Sequence, residues 1–285
     1  MKRAGMMAAR HMGEQPETEI DPATFRRIAE IVYQKAGIVL NAQKEALVVA
    51  RIGKRMRRLG ITHFRDYLRL LEESPEHEEP VEMLNAISTN VTQFFREPKH
   101  FEHLAGWLAQ WRQEGRTRFR FWCAAAASGE EACSVAMVVR ENLPADCDVR
   151  ILATDLSTRA LAEAREGVYA ASDMKTVPEA FVRRYFVCEQ NESGRRYRVS
   201  PALAGMITFA RLNLAQTPYA MRGPFDAIFC RNAMIYFDDT VRRRLLDECW
   251  RLLRSGGYLV VGSAESLAGL PTGFRNVAPS VYARL

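Results

Sequence analysis

A chain of 285 residues, with 48% hydrophobic and 26% charged side chains, has the composition of a soluble globular protein and room for an α/β domain carrying a smaller helical one. No apolar run is long enough for a transmembrane span, the first 20 residues lack the apolar stretch of a signal peptide, and six cysteines without a CxxC pair indicate neither a zinc site nor a disulfide framework. The formal charge of +6 admits a nucleic acid, an acidic membrane surface or an acidic protein as partner, so its placement is more informative than its sum.

Residues 1–20 mix Met, Arg, Gly, Gln and Glu and are expected to form a mobile leader. Residues 21–88 follow the spacing of short amphipathic helices. Asp21-Pro22 supplies a cap and a first-turn proline, and Phe25, Ile28 and Val32 the buried stripe behind them. A second helix starts near Asn41, runs through Leu47, Val48, Ile52, Met56 and Leu59, and stops at Gly60. It is strongly basic: Arg51, Arg55 and Arg58 share one face at i, i+4 and i+7, with Lys54 and Arg57 beside them. The third helix opens at Thr62, carries Phe64, Tyr67, Leu68 and Leu71, and precedes an acidic loop around SPEHEEP.

Residues 89–115 read as a linker and an entry helix, from about Glu97 to Trp111. From 116 to 285 the period changes. FRFWCA, DVRILATD, FDAIFCRN and GYLVVGS are short apolar runs of buried parallel strands with helical stretches between them, and SVYARL offers a closing strand. This alternation predicts a doubly wound α/β sheet whose ligand lies beyond the carboxyl ends of its strands. Residues 168–212 interrupt it with a short helix, PEAFVRRYF, and a hairpin turning at Asn191–Gly194, and are expected to form a β insertion. The cysteines, Cys123, Cys133, Cys147, Cys188, Cys230 and Cys249, are expected to be reduced core residues of a cytoplasmic protein.

WCAAAASGEEACSVAM is a strand entering a tight small-residue turn and then a helix, where nucleotide-like ligands approach the backbone. A pyrophosphate would need several glycines and no local negative charge, yet here stand one glycine, Gly129, and the carboxylates of Glu130 and Glu131. Such a turn suits a ligand with an ammonium and a sulfonium, S-adenosylmethionine, rather than a dinucleotide. Glu130 is the preferred contact, and Glu131 reads equally well as a solvated acid at the helix dipole. Asp155, ending ILATD, stands where an acidic side chain accepts ribose hydroxyls, with a helix cap for STRALAEA as the alternative. Asn213-Leu214 and Arg231-Asn232 reach the same rim, although an Asn such as Asn213 is also a common turn former.

NVTQFFRE, SGEE, ATDLS, FDAIFCRNAMIYF and LRSGGYLVVGSAESL together resemble, in order and spacing, the chemotaxis receptor methyltransferases of the CheR family. The resemblance runs from about Asp21 to the C-terminus. It implies a small all-α N-terminal domain, then a Rossmann-like S-adenosylmethionine methyltransferase sheet domain with a β insertion, and methyl esterification of receptor glutamates with S-adenosylhomocysteine as product. By position it implies cofactor contacts at Asn90, Thr92, Arg96, Glu130, Asp155, Asn213, Leu214, Arg231 and Asn232. Arg96 would pair the methionine carboxylate, and Tyr236 would face the transferring methyl group. Relatives tend to carry Ser-Thr-Gly-Glu-Glu-Pro-Tyr where this chain has Ala127, Ala132 and Cys133 among its residues, which predicts a looser loop.

An ionised glutamate needs no base to attack a methyl group, and all five histidines, His11, His63, His77, His100 and His103, precede the first sheet strand. The implied partners are Glu-rich cytoplasmic helices of methyl-accepting chemoreceptors, docked on Arg51, Arg55 and Arg58; an ordinary solvated helix face is the alternative. In some family members the β insertion holds a tether peptide from the receptor C-terminus. A pI of about 9.1 raises a nucleic-acid methyltransferase as a rival, but CRNAMIY lacks the paired prolines typical of nitrogen-methylating enzymes. A non-catalytic adaptor that senses the cofactor is the other rival. No metal, nucleic acid or membrane insertion is expected.

Overall fold

The computed structural model describes residues 17–73, 78–191 and 194–285. The expected leader, except its last four residues, most of SPEHEEP, two residues of the hairpin turn, and His11 and His77 lie outside the described residues. The chain divides after Thr89 into two compact units.

The first unit is helical: α1 (Pro22–Ala36), α2 (Glu45–Leu59), α3 (Phe64–Glu73) and α4 (Glu78–Ile87). The Asp21 carboxylate accepts from the N–H groups of Ala23 and Thr24, so the predicted cap forms, and Gly37 closes α1 with φ 67° by donating to Tyr33 O. Phe25, Ile28, Val32, Val48, Ile52, Met56, Phe64, Tyr67 and Leu71 are buried, following the predicted stripes, whereas Leu59 at the end of α2 is exposed. Asn41 precedes a 3₁₀ turn, Ala42–Lys44, and α2 proper starts at Glu45. Of the acidic segment expected to be a loop, the described residues Glu78, Glu79 and Pro80 instead open α4. Pro80 is tolerated there because first-turn N–H groups have no intrahelical acceptor.

The second unit holds α5 (Lys99–Gln113), β1 (Arg118–Cys123), α6 (Glu130–Asn142), β2 (Asp148–Asp155), α7 (Thr158–Glu166), β3 (Val168–Ala170), α8 (Glu179–Tyr185), β4 (Phe186–Asn191), β5 (Gly194–Val199), α9 (Pro201–Ala204), β6 (Ile207–Arg211), β7 (Phe225–Cys230), α10 (Asp239–Leu252), β8 (Leu253–Val261), β9 (Arg275–Ala278) and β10 (Val281–Ala283). Seven strands form one sheet in the order β6-β2-β1-β7-β8-β10-β9, parallel except at β10, which pairs antiparallel with both β8 and β9. The four apolar runs are β1, β2, β7 and β8, as predicted, and SVYARL holds β10. A separate three-stranded sheet, β3-β5-β4, forms the β insertion. The end of the segment expected to belong to that insertion is β6, which instead pairs with β2 at the edge of the main sheet.

Every residue of β7 is buried, as a strand covered on both faces requires. Phe121, Phe229 and Val260 pack on one side with Leu104, Leu108 and Trp111 of α5, whereas Trp122, Ile228 and Leu259 pack on the other with Leu245, Leu246 and Cys249 of α10. Four cysteines lie in this core; Cys147 is half-buried, and Cys188 is exposed on β4, a correction to the all-core expectation. The chain winds outward from β1 to β2 and β6, then returns to β7 on the other side of β1. The carboxyl ends of β1 and β7 therefore meet at a topological switch point, where open α/β sheets bind ligands.

Candidate active site

At that switch point the turn after β1 is held by its flanking strands: Ala124 N–H donates to Phe229 O and Ala126 N–H to Thr154 O, both at 2.8 Å. Gly129 then caps α6 with φ 98°. A Cβ there would meet Tyr169 Oη at 3.0 Å and Ala164 Cβ at 3.1 Å, so the turn accepts no side chain without shifting both. Asp155 braces the turn from β2. One carboxylate oxygen accepts from Ala127 N–H at 2.9 Å and the other from Ser157 N–H at 2.8 Å. Burial raises its pKa against the pull of these N–H groups. The helix-cap alternative falls to Ser157, whose hydroxyl oxygen accepts from Ala160 N–H at the start of α7.

Glu130 and Glu131 open α6 and are 7% and 8% exposed, so the alternative reading of Glu131 as a solvated first-turn acid does not hold. Burial raises both pKa values. Their partners separate them. Glu131 binds Arg231 Nη1 at 2.9 Å, whereas Glu130 accepts from the Ser128 hydroxyl, at 2.8 and 3.0 Å, and from its own N–H, with no cation in ion-pair range among the described residues.

The Arg231 guanidinium, 2% exposed, also lies 3.3 Å from Glu97 and donates to the Arg96 carbonyl. The Arg231 side chain, expected at the cofactor rim, is thus the hub of a buried network, since a desolvated cation needs a carboxylate partner. Glu97 in turn accepts from the N–H and hydroxyl of Ser263, at 3.2 and 3.1 Å, beyond β8. Burial pushes the Glu97 pKa up, but the Arg231 charge and the Ser263 N–H outweigh it and the net shift is downward. Beside them His100 is pulled down to about 4, by burial first and then by Arg231.

The segment carrying Asn90, Thr92 and Arg96, all half-buried, is bent by two non-glycine residues in the left-handed region, Phe95 at φ 53° and Glu97 at φ 58°. Phe95 N–H donates to Ser134 Oγ of α6 at 3.0 Å, and Arg96 Nη1 to Val91 O at 2.9 Å. Asn213 follows β6 and its side-chain oxygen accepts from Ala215 N–H, which is the turn-forming role. Leu214 is buried, its carbonyl held by the Tyr219 hydroxyl at 2.7 Å. Asn232 leaves β7 with φ 57°, and Tyr236 sits half-buried in a 3₁₀ turn, Met234–Tyr236.

Residues 23–88 match the all-alpha domain of CheR methyltransferases, and residues 90–283 the S-adenosylmethionine-binding domain of the same enzymes. The chain belongs to the CheR methyltransferase family. It is 39% identical over 265 residues to the chemotaxis protein methyltransferase of Escherichia coli K12, covering 93% of this chain and 91% of that one. The Klebsiella aerogenes chemotaxis protein methyltransferase is 37% identical over 291 residues, covering 99% and 98%. This CheR-family chain is thus an S-adenosylmethionine-dependent methyltransferase of the chemotaxis type. No helix among its described residues is long and apolar enough to cross a membrane.

In the helical unit of this CheR-family chain the basic face of α2 is largely engaged. Arg51 donates to the carbonyls of Ile87 and Ser88, and Arg55 grips Glu79 with Nε–Oε1 at 3.0 Å and Nη2–Oε2 at 2.6 Å. The expected stripe Arg51, Arg55, Arg58 is therefore corrected: its first two members fasten α2 to α4, while Arg58, Lys54 and Arg57 stay exposed. Sequence reasoning overlooked Glu265, whose carboxylate meets the segment after β7. Its only signal was an acidic residue inside SAESL, directly after the last parallel strand.

Proposed function

We propose that this chain transfers a methyl group from S-adenosylmethionine to glutamate side chains on the cytoplasmic helices of chemoreceptors, working in the cytoplasm and leaving S-adenosylhomocysteine. The observation that carries the cofactor half is Glu130: a buried carboxylate at the switch point with a hydroxyl but no cation beside it. A buried carboxylate is stabilised by an opposite charge, and a ligand bearing an ammonium and a sulfonium supplies one. The residues present therefore fit the group.

When bound, S-adenosylmethionine supplies an electrophilic methyl carbon on a cationic sulfur. Glu130 provides the negative charge that favours a cationic ligand over a neutral one. Asp155, set by backbone N–H groups that include those of Ala127 and Ser157, offers its remaining acceptor capacity to ribose hydroxyls. Arg96 uses Nη1 on Val91 O and has further donors for a carboxylate. Asn90 and Thr92 offer short polar contacts on the same segment, and Asn213, Leu214 and the Arg231-Asn232 backbone border the base. Tyr236 orients the acceptor oxygen.

The acceptor half rests on chemistry and family. A glutamate with a pKa of about 4.3 is already ionised at neutral pH, so alignment matters more than a base. No histidine occurs from residue 116 onward. The decisive experiment incubates the chain with methyl-labelled S-adenosylmethionine and chemoreceptor cytoplasmic fragments, then treats the product with alkali. Esters release labelled methanol; alkali-stable label, or label on RNA or DNA, would overturn the glutamate assignment. Receptor fragments with and without their C-terminal peptides test for a tether at the β3-β5-β4 sheet.

A further inference from the structure

The turn after β8 presents the Glu265 carboxylate to the segment leaving β7. Glu265 is 7% exposed and has no ion-pair partner among the described residues. Its Oε2 accepts from the N–H groups of Asn232 and Gly262, both at 2.7 Å, and its Oε1 from Ile235 N–H at 3.2 Å. Glu265 N–H donates to Gly262 O at 2.8 Å, so the acid is fixed in its own tight turn before it reaches across. We propose that Glu265 is a positioning residue for methyl transfer, setting the backbone from Asn232 to Tyr236.

That backbone cannot hold this shape by local hydrogen bonds alone. Tyr236 and Phe237 donate to Ala233 O and Met234 O, as a 3₁₀ turn allows, but Asn232 and Ile235 give their N–H groups to Glu265. Asn232 also lies in the left-handed region at φ 57°, a conformation that persists where surrounding contacts enforce it. Three N–H groups on one carboxylate supply such contacts, since charge-assisted hydrogen bonds are stronger than neutral ones. Gly262 marks the same clamp from the other side. A Cβ there would fall 2.5 Å from Asn232 Nδ2 and 2.9 Å from Glu265 Oε2, so only glycine leaves room for the contact.

This role rests on the proposed function, in which Asn232 borders the cofactor and Tyr236 the acceptor. Glu265→Gln replaces an accepting oxygen by an amide that itself donates, opposing at least one of the N–H groups. Gly262→Ala displaces the clamp while keeping the carboxylate. Both variants and wild type should be compared by kcat and KM on a receptor fragment, by calorimetric binding of S-adenosylhomocysteine, by thermal unfolding and by hydrogen exchange across residues 231–237. We expect kcat to fall about tenfold to a hundredfold, as for a small misplacement of a reacting group, with exchange faster in 231–237 but unchanged in β1 and β2. Product affinity should fall less than kcat, because only the Asn232 edge of the cofactor site is disturbed and the Glu130 and Asp155 half is untouched. In a Tyr236→Phe background the further loss from Glu265→Gln should shrink, since the two act through one element.

Unchanged kcat and exchange in folded Glu265→Gln would overturn the proposal. So would kcat, product affinity and melting temperature falling together, the mark of a merely structural residue. If wild type methylates no receptor fragment, the proposed acceptor fails instead. Exchange across 231–237 then decides the clamp by itself: faster in both variants supports it, unaltered in either overturns it.

Discussion

Like charges crowd two regions of this molecule, the arginines of α2 and the carboxylates at the carboxyl ends of β1 and β2. Internal pairing treats them differently. On α2, Arg51 and Arg55 are bound by carbonyls and by Glu79, and Glu79 further accepts from the buried Tyr67 hydroxyl at 2.7 Å. At the sheet rim Glu131 is matched by Arg231, while Glu130, one residue earlier, has a serine hydroxyl and its own N–H but no cation among the described residues. Charge available to a partner is what remains after such internal matching. By that measure the rim keeps one buried carboxylate, Glu130, without a cation among the described residues, whereas α2 keeps only its outermost cations.

The largest effects should come from breaking matched pairs. Arg231→Ala strands Glu131 and Glu97 together in the interior and should lower stability by about 3–5 kcal/mol in urea denaturation; a cost below 1 kcal/mol would mean that the network is solvated. Arg55→Ala should cost about 1.5–3 kcal/mol by the same measurement, because a carboxylate that is 8% exposed loses its charged donor. Glu130 makes the opposite case. Glu130→Gln removes no ion pair, so it should leave the melting temperature nearly unchanged or raise it, yet weaken S-adenosylmethionine about tenfold in calorimetry, or about 1.4 kcal/mol. Equal binding by wild type and variant would remove Glu130 from the cofactor site.

A smaller effect follows from His100, buried beside Arg231. Its pKa is about 4 in the fold against 6.5 as the ordinary value, so the unfolded chain takes up the proton first. The resulting contribution is fully present above pH 6.5 and is lost as pH falls toward 4. His100→Gln should flatten stability over this window in urea midpoints measured at successive pH values; an unaltered slope would assign the acid sensitivity to other groups.

What could be read from the sequence follows from how local each signal is. β1, β2, β7 and β8 announce themselves as apolar runs, and Glu130 and Asp155 stand where such strands end, so their positions needed no tertiary information. β6 and β9 escaped because edge strands are half solvated: ITFAR and RNVA alternate too weakly to mark a strand. α4 was hidden behind a proline and an acidic run that resemble a loop. The engaged side chains were harder still. Arg231 finds Glu131 across 100 residues and Arg55 finds Glu79 across 24, and no spacing rule reports a pairing fixed by the fold. A helical face of arginines looks the same on paper whether it is free or fastened.

That ambiguity makes Arg58 the sharpest of the small tests. Lys54, Arg57 and Arg58 are exposed, so reversing one of them breaks no buried pair, and Arg58→Glu should change stability by less than about 0.5 kcal/mol. If the remaining cations of α2 guide acidic receptor helices, the same substitution should raise KM for the receptor and weaken its dependence on salt, because exposed charges act chiefly on encounter and are screened by ions. Binding of S-adenosylhomocysteine should not move. Arg55→Ala at matched salt supplies the contrast, since its loss reaches methylation through a loosened helical unit and should be recovered by lowering the temperature. Should Arg58→Glu methylate receptors as wild type does at low salt, α2 is a packing helix whose outer charges serve solubility alone, and the acceptor must be held elsewhere.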